Sequence, residues 1–159
     1  MLLNLAQITV LSAATLATGV MAGLFFAYTF SVMPGLHASG DRTFVEGMQR
    51  INVAIQNGWF FLCFVGALVC TLAAVALHIP GPGRAALPWL VAGLVLYAVV
   101  LVVTGAVNVP LNNALDAAGR TDAAAARAAF EATWVTWNNV RTAANLGAFA
   151  ALIGALVAR

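Results

Sequence analysis

Four long apolar runs, separated by short stretches that hold most of the polar residues, decide what this chain can become. The first covers roughly Leu5 to Met33 and ends at Pro34-Gly35; the second runs from about Trp59 to His78 and stops at Pro80-Gly81-Pro82-Gly83. The third begins at Pro88 and runs to Asn108, and the fourth is strongly apolar only from Ala143 to Ala158. A helix needs about 20 apolar residues to cross a bilayer, so the fourth run must recruit residues before Arg141. With 63% hydrophobic and 8% charged residues, far from the soluble norm, the sequence predicts an all-α integral membrane four-helix bundle of up-down-up-down order. Four spans fill a chain of 159 residues, so 1–159 is read as a single four-span domain. The first Arg is Arg42, and a run without a basic leader is expected to stay in the mature protein rather than be cleaved as a signal peptide.

The breakers set the expected helix ends. Pro80 to Gly83 is predicted to be a tight hairpin, and Pro88 suits a first helical position. Pro110 is expected to stop the third helix, holding Val109 extended while Asn108 and Asn112 satisfy the carbonyls freed near Ala106. Thr121 with Asp122 is a predicted cap for the last helix. From Asp122 to Val157 that helix would measure about 54 Å at 1.5 Å per residue, so it is expected to extend beyond the bilayer, whose hydrocarbon is about 30 Å thick.

Up-down-up-down order places both longer connections at one membrane face, and most of the polar residues with them. Arg42, Arg50, Arg120, Arg127 and Arg141 fall on that side and only Arg84 and Arg159 on the other, which by the positive-inside rule puts the motif side in the cytoplasm. The Ala- and Arg-rich, Lys-free composition suggests a bacterial source, hence the bacterial cytoplasmic membrane. Seven Arg against five acids are too sparse and scattered for a nucleic-acid groove. The expected partner is the lipid bilayer, and the oligomeric state is left open.

Helical spacing groups the polar residues. Arg42, Glu46 and Arg50 recur at i, i+4, i+8, while Gln49, Asn52 and Gln56 form an amide-rich face. Tyr97, Leu101, Thr104 and Asn108 share a face of the third run. Phe130, Trp134, Trp137, Asn138, Arg141 and Asn145 share one of the last. Each group also has a plainer reading: an aromatic belt with a snorkelling Arg, helix-end Asn residues, a solvated ion-pair ridge, an interfacial His37. Thr15, Gly19, Gly23 and Ala27, four apart, read as a close helix-packing stripe.

Taken together, Phe26-Ala27 through Ser31-x-Met33-Pro34, Arg42-Thr43-Phe44, Met48-Gln49-x-Ile51-Asn52, Asn108-Val109-Pro110-Leu111-Asn112 and Trp134-x-x-Trp137-Asn138-x-x-Arg141 resemble the anthrone-oxygenase-like family of small integral membrane proteins. Some fungal polyketide-pathway members of that family are associated with oxidising an anthrone to an anthraquinone. The resemblance implies a hydrophobic polycyclic phenol as substrate and O2 as oxidant, with no cofactor, because loss of a benzylic proton leaves an anion able to reduce O2 directly. Such chemistry calls for aromatic walls, oxyanion donors and a base. Trp134, Trp137 and Tyr97 are the candidate walls; Asn138, Asn108, Asn112 and Arg141 the donors; His37, then Glu46, the base. Asn52 or Asn57 is expected at the same pocket.

Other chemistries fit less well. Cys63 and Cys70 lie about 10 Å apart on one helix, too far for a disulfide. His37 and His78 bracket the second span at opposite faces and cannot both ligate one haem within a protomer. No residues show metal-ligand spacing. The alternative function is a non-catalytic membrane module, a small-molecule binder or a partner subunit.

Overall fold

The computed structural model describes residues 2–80, 83–118 and 122–159, and all regular structure among them is helical. Helices α1 (Leu2–Ala27) and α2 (Met33–His37) are joined by a π turn at Tyr28–Val32; α3 (Asp41–Ala54) and α4 (Gly58–His78) follow. A 3-10 turn at Arg84–Ala86 leads into α5 (Leu87–Val103), a second π turn at Thr104–Asn108 and α6 (Val109–Ala118); α7 is Ala123–Ala158. Four helical stretches, Leu2–His37, Gly58–His78, Arg84–Ala118 and Ala123–Ala158, are long and apolar enough to cross a membrane. The chain is an integral membrane protein.

Side-chain contacts order these spans. The first and fourth meet at Gly19 against Phe149, Thr29 against Thr142 and His37 against Glu131. The third and fourth meet at Gly93 against Leu152 and at Asn108 against Trp134. Numbers rise on one partner as they fall on the other, as an alternating bundle requires. Gln7 Nε2 donates to the Leu77 carbonyl at 2.9 Å, tying the start of the first span to the end of the second.

Two prolines correct the expected helix ends. Pro34 and Pro110 do not stop their helices. Val109 is helical, at φ −65° and ψ −49°, and its N–H bonds the Thr104 carbonyl five residues back; Met33 does the same to Tyr28. A proline ring clashes with the carbonyl four residues before it, and a π turn placed just ahead widens the helix where that clash would fall. Asn108 and Asn112 therefore do not repair a broken end. They bond across to the fourth span.

The expected cap of α7 is half within the described residues. Asp122 Oδ1 accepts from the Ala125 N–H at 3.0 Å, while Thr121, like Arg120, lies outside the described residues. So do Gly81 and Pro82 of the hairpin; beside them Gly83 takes φ +85°, a left-handed conformation that suits glycine. Helix α7 is unbroken over 36 residues, about 54 Å at helical rise, and so exceeds the bilayer's hydrocarbon thickness of about 30 Å. The small-residue stripe divides: a Cβ on Gly19 would lie 2.8 Å from the Phe149 ring, whereas one on Gly23 would meet nothing within 4 Å.

At the end of the bundle holding both termini, Leu11, Ala14, Ala74, Leu90, Leu152 and Ala155 form the core. At the other end, amphipathic α3 lays Phe44, Val45 and Met48 against Tyr28, Met33, Leu115, Phe130 and Trp134. That second core floors the polar end of the molecule and positions the site.

Candidate active site

Between α3, the start of α4, the third span and α7 lies a cavity of about 340 Å³. Its wall carries the aromatic rings of Phe25, Tyr28, Phe60, Phe61, Phe64 and Trp134, and its polar groups include Gln49, Asn52, Gln56, Asn108, Asn112, Asn113, Asp116, Thr104 and Arg141. The third span contributes Thr104, Asn108, Asn112 and Asp116, four apart along one face.

Arg141 dominates the electrostatics. It is 6% exposed, yet the ion pairs among the described residues are His37–Glu131, Arg42–Glu46, Arg127–Asp41 and Arg127–Glu131. No carboxylate neutralises it. Nη1 donates to Thr104 Oγ1 at 3.3 Å and Nη2 to Asn138 Oδ1 at 2.9 Å. The guanidinium also lies over the rings of Phe25, at 4.7 Å, and Trp134, at 5.4 Å. Among the described residues Nε has no partner, nor has Asn108 Oδ1 or either end of the Asn145 amide. A guanidinium offers five N–H donors, of which the protein uses two here. An unpaired buried charge costs several kcal/mol, and ionisable groups kept inside a membrane at such cost mark functional sites.

The two π turns hold this charge in place. Thr104 opens the turn of the third span. Thr29, in the turn of the first, accepts from Asn138 Nδ2 at 3.0 Å and lies 2.9 Å from Thr142 Oγ1. Asn138 is thus pinned between Thr29 and Arg141. Trp134 is clamped as well: its Nε1 donates to Asn112 Oδ1 at 2.7 Å, and its carbonyl accepts from Asn108 Nδ2 at 3.3 Å.

Of the residues singled out from the sequence, Asn52, Asn108, Asn112, Trp134 and Arg141 line the cavity. Asn138 stands behind Arg141. Tyr97 lies outside the wall; it is buried, and its hydroxyl donates to the carbonyl of the wall residue Phe64 at 2.8 Å. Trp137 is 37% exposed on the outer surface. Asn57 caps α4, accepting from the N–H groups of Trp59 and Phe60. Both candidate bases are off the wall. The His37 side chain is 74% exposed and pairs with Glu131 at 2.7 Å. Glu46 pairs with Arg42 at 2.8 Å, and that hydrogen bond and charge hold its carboxylate below the usual glutamate range, the wrong direction for a base at neutral pH.

Sequence reasoning missed Phe25, Tyr28, Thr29, Phe60, Phe61 and Phe64, and it named Thr104 and Asp116 without putting them in the site. The aromatics sit inside apolar runs, where they carry no signal against a lipid-facing residue. Thr104 shared a face with Asn108, and that spacing was its one clue. Among the described residues no group of three or more His, Cys, Asp or Glu is placed to hold a metal.

Residues 59–151 match the family model for anthrone oxygenase. No curated protein and no solved structure matches the chain. The matched segment covers more than half of the sequence and runs through the third-span asparagines, Trp134, Asn138 and Arg141, and on that extent the chain belongs to the anthrone oxygenase family.

Proposed function

We propose that this protein oxidises a hydrophobic polycyclic phenol or anthrone to the quinone level with O2. The observation that carries the reading is Arg141: a buried cation without a carboxylate partner, on the wall of a cavity lined with aromatic rings. A flat aromatic ligand packs between such rings, and an oxyanion developing on it supplies the charge that Arg141 lacks. In a dry site a fixed donor of this kind stabilises the anion far more than water does. Loss of a benzylic proton leaves a delocalised carbanion; O2 takes its electrons and forms the C–O bond. The protonated peroxide then eliminates water, so that the ring methylene and one O2 become a ketone carbonyl and one water.

The test is aerobic and anaerobic incubation of the purified protein with a panel of anthrones and hydroquinones, using 18O2 and mass spectrometry. Expected is quinone formed faster than by autoxidation, only with O2, carrying one labelled oxygen when the substrate is an anthrone. Failure to exceed the uncatalysed rate on every substrate returns the protein to the class of non-catalytic binders.

A further inference from the structure

Proton abstraction needs an acceptor on the cavity wall, and both bases read from the sequence are elsewhere. The ionisable side chains that do line the cavity are Tyr28, Asp116 and Arg141. Arg141 is a permanent cation. Asp116 lies twelve residues along the third span from Thr104, whose hydroxyl holds Arg141; at helical rise that is about 18 Å between Cα atoms, which sets it at the far end of the wall from the cation. Tyr28 remains.

We propose that Tyr28 is the proton-transfer residue of this site and works as a pair with Arg141, an inference that rests on the oxidase reading above. Its ring is tilted against Trp134 with centroids 5.6 Å apart, and the Arg141 guanidinium lies over the same indole. Arg141 is the cation on the same wall; α3 and α6 pack against Tyr28 with the apolar Phe44, Met48 and Leu115. A buried tyrosine hydroxyl ordinarily finds a hydrogen-bond partner. That of Tyr28, 8% exposed, has none among the described residues, although its neighbour Thr29 is bonded on to Asn138.

In a dry pocket a phenolate forms only with a cation beside it, and Arg141 is that cation. The tyrosinate oxygen takes the benzylic proton, and the electron pair left on carbon delocalises to the ring oxygen. One negative charge has moved from Tyr28 to substrate while staying in front of Arg141. After O2 has accepted the electrons and the C–O bond has formed, the peroxide anion takes the proton back from the Tyr28 hydroxyl, and loss of water gives the ketone. Tyr28 ends as it began. A counter-charge that moves in this way also explains why no fixed carboxylate faces Arg141.

The test separates proton transfer from oxidation. Exchange of the benzylic hydrogens of an anthrone is followed in deuterated water without oxygen by NMR, and quinone formation is followed in air. Tyr28→Phe keeps the ring against Trp134, and is expected to lower exchange and kcat by about 100-fold or more, the usual scale of general acid–base catalysis, with KM little changed. Fluorotyrosine at position 28, a more acidic phenol, is expected to shift the pH profile of exchange to the acid side; it decides the matter should the Phe variant fail to fold. Exchange at the parent rate in Tyr28→Phe, or an unmoved profile with fluorotyrosine, overturns the proposal and leaves the oxidase reading standing. Parent protein that exchanges hydrogen without forming quinone in air overturns the oxidase reading, and loss of that exchange in Tyr28→Phe then still supports Tyr28. Parent protein that does neither overturns both.

Discussion

Arg141 is bonded through two nitrogens to groups on two different spans, Thr104 and Asn138, and that geometry is available only to a planar, forked cation. Arg141→Lys is therefore expected to lower kcat by roughly 100-fold or more, the scale of losing a preorganised oxyanion donor, while leaving a helical, membrane-inserted protein. Arg159→Ala, at the other end of the bundle, is expected to be silent in the same assay. His37→Gln and Glu46→Gln are expected to leave kcat and its pH profile unchanged, because neither side chain lines the cavity; loss of activity in either would restore a base at the rim. The residues legible from sequence were polar ones breaking an apolar pattern: Asn108, Asn112 and Arg141 stand out from their surroundings whatever they do. Tyr28 was illegible for the opposite reason, since a tyrosine inside an apolar run reads as one more membrane-facing ring. His37 and Glu46 stood out by their intrinsic acidity, which says nothing of position.

At the scale of elements, the two π turns do what the expected helix breaks were meant to do, and more. Each inserts one extra residue ahead of a proline, which turns the segment beyond it by about 100° relative to an uninterrupted α-helix. The turn of the third span separates Thr104, which holds Arg141, from Asn112, which holds Trp134. Pro110→Ala removes the reason for the wide turn. The expected outcome is unchanged helical circular dichroism, a shift in tryptophan emission as Asn112 leaves Trp134, and kcat lowered at least about 10-fold by misplacement of the site. The rule that proline ends a helix failed here because a membrane helix can widen locally and re-satisfy its backbone. Small-residue spacing misled in a milder way. Gly154→Ala would bring a Cβ within 2.7 Å of the Trp89 ring, and is expected to cost about 1–3 kcal/mol as overpacking does, read as a lower melting temperature in detergent. Gly23→Ala, with nothing within 4 Å, should melt as the parent does.

For the whole molecule, the four spans followed from the apolar runs alone, because no other structure hides so much backbone in lipid. A pocket at this end was expected from the polar residues, and Asn52, Asn108, Asn112, Trp134 and Arg141 line it; its enclosure did not follow, since that depends on α3 folding back beneath the bundle, and an amphipathic stretch of that length reads equally well as an interfacial ridge. Val53 at 74% exposure, Phe61 at 48% and Val109 at 43% face the outside and line the cavity as well. On the oxidase reading, an apolar rim at that position would let a substrate dissolved in the bilayer enter without passing through water. In proteoliposomes the rate should then track the mole fraction of substrate in lipid, not its total aqueous concentration. Val53→Trp narrows the rim without touching Arg141 or Trp134, so it is expected to lower kcat/KM about 10-fold by slowing entry while kcat at saturating substrate stays within about twofold, the pattern of a mutation that impedes encounter and spares the transition state. An equal fall in kcat would instead place Val53 in the chemistry, and an unchanged kcat/KM would mean that substrate enters from the aqueous face past Asn113 and Asp116.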